Sequence, residues 1–308
     1  MTLPPIPSSA VESDQACLSV RIADLGITLC GEGSDTLLET EPAYDQFVVS
    51  GMPDLTIQVR SGPFPTGILR EDEKIFESGS LWSLYEHEGR HAFAFRSPLL
   101  GPEPYRMAIF DARYRQGEVF VRTPLSDAAG TAVRIVPWER PLPELAMVSM
   151  LTTRPGLMVH ACAVNDQGKG YLFAGNSGAG KTTICRLFDT RARILNDDRV
   201  VIRPDRTGYR VHGTPWHGDS PLVSCESVPV RAIFFLEKAA THSTRALSGI
   251  SACCSLLARC FLPLWDGAGI PLVLDFAGRL VQSVPCFALS FAPDESVVEF
   301  VRSVGRQL

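Results

Sequence analysis

The residues Gly175-Asn-Ser-Gly-Ala-Gly-Lys181-Thr182 fit G-x-x-x-x-G-K-[ST] at every fixed position, the pattern of a loop that cradles nucleotide phosphates. Glycines let the backbone curl so that successive N–H groups point inward at phosphate oxygens. A helix opening directly after such a loop adds its positive N-terminal dipole. Lys181 supplies a point charge for the β- and γ-phosphates, and the Thr182 hydroxyl is a hard oxygen suited to Mg²⁺. Gly175, Asn176, Ser177, Gly178, Ala179, Gly180, Lys181, Thr182 and Thr183 are therefore the expected ATP contacts, with the Lys181 side chain partly exposed at the loop mouth. Lysine is scarce, at positions 74, 169, 181 and 238 only, so a chance match is on the order of one in a few hundred.

One helix beyond the loop stands Leu195-Asn196-Asp197-Asp198-Arg199, between two apolar segments. A nucleotide site needs a carboxylate near Mg²⁺ at the end of a neighbouring strand, and a kinase acting on an alcohol benefits from a second one that accepts the hydroxyl proton. Two adjacent aspartates could divide those tasks; a solvated Asn-Asp-Asp turn is the plain alternative. His160, flanked by Val159 and Ala161, would on its own be read as a satisfied core histidine. His212 and His217 bracket Gly213-Thr-Pro-Trp-His-Gly-Asp219, whose composition makes it a loop. Trp216 needs a packing partner, and recognition residues concentrate on loops held by a rigid sheet. Thr214, His217 and Asp219 are thus candidates for the acceptor side, against the alternative that Trp216 merely plugs a gap.

These residues must be positioned by regular elements. From Cys17 to about Val136, short apolar segments alternate with polar residues (Leu18/Val20/Ile22, Leu25/Ile27/Leu29, Leu55/Ile57/Val59) and are separated by turn signals such as Glu88-Gly-Arg and Arg115-Gln-Gly. The pattern predicts antiparallel strands with one solvated face, with a short helix near Asp35–Phe47. A connecting helix is expected over Pro141–Arg154, stopped by Pro155-Gly156. Beyond it, continuous apolar runs at Leu157–Val164 and Tyr171–Ala174 suit strands covered on both faces. A helix over Lys181–Phe188 follows, then strands at Ile194–Asn196, Arg199–Arg203, Arg210–Gly213 and Val230–Leu236. Helices at Arg245–Leu262 and Ile270–Gln282, a strand at Cys286–Phe291 and a helix from Glu295 close the chain. The organisation is an arm at 1–16, a β-rich domain at 17–140 and an α/β domain at 141–308.

With 45% hydrophobic and 20% charged residues, the 308-residue chain has the composition of a packed globular protein. A net charge of −5 supplies no attraction to nucleic acid or an anionic membrane. There is no apolar run long enough to span a bilayer, and the segment Ala246–Trp265 is interrupted by Arg259. The start, Met-Thr-Leu-Pro-Pro-Ile-Pro, lacks the marks of a signal peptide. The nine cysteines form no metal-binding spacing and are expected as reduced, buried thiols of a cytoplasmic protein.

Leu157-Met-Val-His160-Ala-Cys-Ala-Val164, the loop within Leu172–Thr183, and Ile194-Leu-Asn-Asp-Asp-Arg-Val200 together resemble the HPr kinase/phosphorylase-like proteins. Those share a P-loop fold with phosphoenolpyruvate carboxykinase. The resemblance is strong over 155–203 and extends loosely to Val284–Phe291 and Pro293-Asp-Glu; it does not reach 1–140. It implies an α/β fold, a mixed sheet with a central P-loop behind a β-rich N-terminal domain. It implies that His160 faces the transferred phosphate, that Asp198 is the general base, and that Asp197 and Thr182 hold Mg²⁺. The Glu-Ile-Arg-Gly core of the family's HPr-binding signature is missing, and Val211–Asp219 stands in its place, which argues against the HPr protein as acceptor. The chain looks more like divergent relatives that phosphorylate a serine on a peptide. The expectation is an ATP- and Mg²⁺-dependent kinase acting on a hydroxyl of a peptide, protein or small molecule. The rivals are a carboxykinase-like or phosphorolytic enzyme and a non-catalytic nucleotide switch. Homo-oligomerisation is left open.

Overall fold

The computed structural model describes residues 16–31, 38, 40–79, 81–122 and 136–308. The arm expected at 1–16 falls outside these residues save for Ala16, as does part of the helix expected from Asp35. The chain divides into two compact units, Met1–Met147 and Val148–Leu308.

The first unit is built on β1 (Cys17–Ile22), β2 (Leu25–Gly31), β3 (Leu55–Ser61), β4 (Lys74–Ser78), β5 (Trp82–His87), β6 (Arg90–Phe95), β7 (Arg106–Asp111) and β8 (Gln116–Val121). They form one sheet in the order β1-β2-β3-β8-β7-β6-β5-β4. Most neighbours are antiparallel, but β3 runs parallel to both β2 and β8, which alternation alone could not disclose. Strand β3 alternates as expected, with Leu55, Ile57 and Val59 buried and Thr56, Gln58 and Arg60 half-buried. The central strands differ: Ala92–Phe95 and Arg106–Phe110 are buried on both faces, so the expected solvated face is confined to strands such as β3 and β4. Gln116 and Gly117, read as turn residues, lie in β8, because Gly117 passes where a Cβ would stand 2.6 Å from the Phe110 ring. Only a 3₁₀ turn, Pro42–Phe47, occupies the described part of the expected helix.

The cysteines also depart from expectation. Cys17 and Cys30 face each other in the β1–β2 register with Cα atoms 4.2 Å apart and are joined as a disulfide. Cys162, Cys185 and Cys286 are free and buried, whereas Cys225 and Cys254 are exposed.

Helix α1 (Leu142–Thr153) leads into the second unit and ends before Pro155-Gly156. There follow β9 (Leu157–Asp166), β10 (Lys169–Ala174), α2 (Lys181–Asp189), β11 (Arg193–Asn196), β12 (Arg199–Pro204), β13 (Tyr209–His212) and β14 (Ser227–Lys238). The chain closes with β15 (Ser243–Leu247), α3 (Gly249–Leu257), α4 (Gly269–Ser283), β16 (Cys286–Phe291) and α5 (Ser296–Arg306). The expected helix at Arg245–Leu262 is therefore shortened at both ends: Arg245–Leu247 belong to β15, which pairs antiparallel with β16, and only Gly249–Leu257 are helical. Ser248-Gly249, with Gly249 at φ +54°, is the turn that separates the two elements.

The sheet is mixed. Strand β10 lies between β9, antiparallel, and β14, parallel, and β14 is parallel to β16. The two long strands change partner along their length: β9 pairs β12 near its start and β10 with β11 near its end. Side chains on β9 alternate between two cores. Leu157, Val159, Ala161 and Ala163 enter one with Val273, Phe276, Ala277, Leu280 and Val281 of α4. Cys162 and Val164 enter the other with Ile184, Cys185 and Phe188 of α2 and Val297, Val298 and Val301 of α5. The helix stripes recur at three and four residues, and each large apolar side chain so buried contributes about 1.5–3 kcal/mol. Arg302 ties α5 to the β9–β10 turn by donating to both oxygens of Asp166, at 2.9 and 2.8 Å.

Candidate functional site

The glycine-rich loop joins the end of β10, a strand flanked on both sides, to the first turn of α2. Gly178 and Gly180 take φ of +75° and +107°, a backbone open to glycine and strained for other residues. Gly180 is also the N-cap of α2, and a Cβ there would meet the Phe291 ring at 2.7 Å. Lys181 is more buried than a side chain at an open mouth would be, at 7% exposure. Its ammonium curls back to donate to the carbonyls of Gly175 at 2.9 Å and Asn176 at 3.4 Å. Burial lowers its pKa, partly offset by the charges of Asp198 and Asp197 and reinforced by that of Arg259. Beneath the loop, burial raises the Cys162 thiol well above its ordinary range.

Strand register assembles the other half. Ala174, the last residue of β10, pairs with Ala161 of β9, so His160 stands next to the start of the loop. Arg199, the first residue of β12, pairs with His160. Asp198 is thereby held between them: His160 Nε2 lies 2.8 Å from Oδ1, and Arg199 Nη1 lies 2.8 Å from Oδ2. The turn is set by Asn196, whose Oδ1 accepts the amides of Asp198 at 2.7 Å and Arg199 at 2.8 Å. Such an Asx turn explains why this Asn precedes the pair. Asp197 points the other way and is almost fully buried. Its Oδ1 accepts the Gly218 amide at 2.8 Å and its Oδ2 the Ser220 amide at 3.0 Å. The two adjacent aspartates thus differ: one anchors a loop, and the other joins a histidine and an arginine.

The loop over 213–219 divides in the same manner. Thr214 is fully buried and donates through Oγ1 to the Arg199 carbonyl at 2.7 Å, while its own carbonyl accepts from Asn196 Nδ2 at 2.8 Å. Trp216 is buried as well. These residues fasten the loop to the β11–β12 turn. Gly218 and Asp219 instead reach the site, and Asp219 is exposed there. His217 is half-buried, with Nδ1 3.0 Å from the Gly218 carbonyl, and is not among the residues lining the cavity below.

A cavity of about 410 Å³ gathers Ser177, Gly178 and Gly180–Thr183 of the loop and helix, His160, Asp197, Asp198, Gly218, Asp219 and Lys238. That volume is within the range of small-molecule sites. The lining includes the oxygens of Ser177, Thr182, Thr183, Asp197, Asp198 and Asp219, a chemistry that suits Mg²⁺ shared with phosphate oxygens and water. Among the described residues no group of three or more His, Cys, Asp or Glu side chains could hold a metal by itself. Three cations escaped the sequence reading. Arg199 pairs with Asp198, Lys238 lines the cavity from the end of β14, and the Arg259 carbonyl accepts the His160 amide at 2.7 Å. Arg199 was legible as the residue after the paired aspartates. Arg259 carried no signal, since a bridge between Val159 and Cys260 brings it from a distant segment.

Among curated proteins none matches the chain significantly. Residues 142–294, just under half of the chain, match the family model described as SynChlorMet cassette protein ScmC. That span takes in the loop, the paired aspartates and His160, and ends beside the C-terminal helix; the second unit is similar to that family.

Proposed function

We propose that the chain is an ATP- and Mg²⁺-dependent kinase that transfers the γ-phosphoryl group to a hydroxyl, through a C-terminal unit with the P-loop fold of the HPr kinase and phosphoenolpyruvate carboxykinase kind. One observation carries the reading: Lys181, Thr182, Asp197, Asp198 and His160 converge on a single cavity although the start of α2, the β11–β12 turn and the interior of β9 supply them. Phosphoryl transfer asks little covalent chemistry of a protein and depends on positioning and charge. The loop amides and the Lys181 ammonium would cradle the phosphates and offset charge developing on them. Thr182 and Asp197 would hold Mg²⁺, which when bound neutralises phosphate charge. Asp198, oriented by His160 and Arg199, would accept the proton of the attacking hydroxyl, and Asp219 on the loop rim would meet the acceptor.

The word cassette in the matched family's description accords with an acceptor made by neighbouring genes, a peptide serine being the first to try. The test is ³²P transfer from ATP with neighbouring gene products or a cell extract as acceptor. A labelled peptide, protein or metabolite supports the kinase, and ATP binding without acceptor-dependent turnover rejects it. The second outcome would favour a nucleotide-gated switch, a reading supported by the use of both Asp197 oxygens to hold the 218–220 loop.

A further inference from the structure

The chain that follows α3 returns to β9 beside the site. Val159 of β9 pairs with Val200 of β12 on one side and forms a bridge with Cys260 on the other. Two backbone hydrogen bonds close the bridge: the His160 amide donates to the Arg259 carbonyl at 2.7 Å, and the Phe261 amide to the Met158 carbonyl at 3.0 Å. Phe261 is thereby fixed on the strand that carries His160, and its half-buried ring reaches both partners of Asp198. The ring centre lies 6.2 Å from that of His160, with the planes at 57°, and 5.2 Å from Arg199 Cζ, within the range of a cation–π contact. Arg199 is otherwise held at one end only. Its Nη1 is engaged on Asp198 Oδ2 at 2.8 Å, but its Nε is buried without a hydrogen-bond partner among the described residues. A guanidinium held by one carboxylate can swing about that contact, and the ring face fixes its plane. Phe261 is not among the residues lining the 410 Å³ cavity, so any part it has in the chemistry runs through its neighbours.

Resting on the reading of Asp198 as the general base, we infer that Phe261 is the positioning residue of that base. Its ring holds the Arg199 guanidinium and the His160 imidazole, and these hold Oδ2 and Oδ1 of Asp198 in turn. Asp198 sits on the turn between β11 and β12, where a carboxylate gripped on one oxygen only would rotate. A displacement of about 1 Å costs on the order of a hundredfold in rate, so a contact outside the cavity can govern the chemistry within it. Leucine at 261 would keep apolar bulk without a π face, whereas tyrosine would keep the face.

Phe261→Leu, Phe261→Tyr, Arg199→Met and the double variant of Phe261→Leu with Arg199→Met test this, with Mg-ATP as the only ligand and water as the hydroxyl acceptor. Phosphate release gives the rate, and calorimetry gives the Mg-ATP affinity. Phe261→Leu should release phosphate about tenfold more slowly than wild type, with the affinity changed by less than about twofold. Phe261→Tyr should keep the wild-type rate, and Phe261→Leu should bring no further loss on the Arg199→Met background. Wild-type turnover by Phe261→Leu, or an equal loss with and without Arg199, overturns the positioning role. A Phe261→Tyr enzyme as slow as Phe261→Leu overturns it too. Where release is too slow to measure, the crystal structure of Phe261→Leu decides: Arg199 Nη1 should have left Asp198 Oδ2, and a contact kept at 2.8 Å overturns the inference. Should the melting temperature show that Phe261→Leu does not fold, Phe261→Met takes its place. Undiminished release by Asp198→Asn removes the base reading and this inference with it, whereas failure of the wild type to bind Mg-ATP removes the phosphate loop itself.

Discussion

Among the described residues each unit has one buried arginine or lysine, and the surroundings of the two differ. In the first, Arg106 is fully buried, and burial lowers its pKa. Its guanidinium donates to the carbonyls of Val136, Pro137 and Glu139 at 3.3, 3.2 and 3.0 Å and lies 4.5 Å from the centre of the Phe95 ring. In the second, Lys181 is nearly as buried, but it has two carbonyl partners and borders the cavity. A cation enclosed by carbonyls and a ring is a structural tie. A cation left beside open volume and facing carboxylates can still meet an anionic ligand.

That contrast breaks if the two cations respond alike to removal. Lys181→Ala should lower acceptor-dependent turnover by about 10⁴-fold, the scale of charge stabilisation in phosphoryl transfer. Its unliganded melting temperature should stay close to wild type, and Mg-ATP should no longer raise it. Equal stabilisation of mutant and wild type by Mg-ATP removes the loop assignment. Because burial depresses the Lys181 pKa, the rate should fall on the alkaline side below the ordinary 10.5, and Lys181→Arg should move that limb upward.

Asp198→Asn should retain nucleotide affinity and lose about 10²- to 10³-fold in transfer rate, since an amide keeps the shape but cannot accept the proton. Parallel loss of affinity and rate would make Asp198 a metal ligand and exchange its role with Asp197. Arg106→Met should destabilise the protein by about 3 kcal/mol by leaving buried carbonyls unpaired, measured by denaturant unfolding, with ATP affinity unchanged in the folded protein. An Arg106→Met protein that is as stable as wild type would deny the structural tie. The smallest effect is expected from Gly218→Ala, whose Cβ would stand 3.0 Å from Asp198 Cβ and 3.3 Å from Asp197 Oδ2. A displacement of a few tenths of an ångström should cost about tenfold in rate at nearly constant stability, and no change in rate would show that the Asp198 position tolerates the shift.

Much of the second unit was legible because its signals are local. Helix α2 begins at Lys181 and β16 occupies Cys286–Phe291, both as expected. The Arg245–Leu262 segment differs because Ser248-Gly249, with Gly249 at φ +54°, ends β15 before α3 begins, a turn signal inside the expected helix. In the first unit the parallel placement of β3 and the two-sided burial of β6 and β7 had no local signature.

The sequence by itself determined the residue types of the site and their order: a loop that curls only with glycine at Gly178 and Gly180, a lysine at its end, and two aspartates before a strand. These depend on backbone preference and spacing, which act over a few residues. Only the tertiary structure decided that His160 and Arg199 clasp Asp198, that the neighbouring Asp197 anchors the 218–220 loop, and that Cys17 meets Cys30. Each of those depends on which strands pair and in what register, and a shift of one residue would turn His160, Arg199, Cys17 and Cys30 to the opposite faces of their strands.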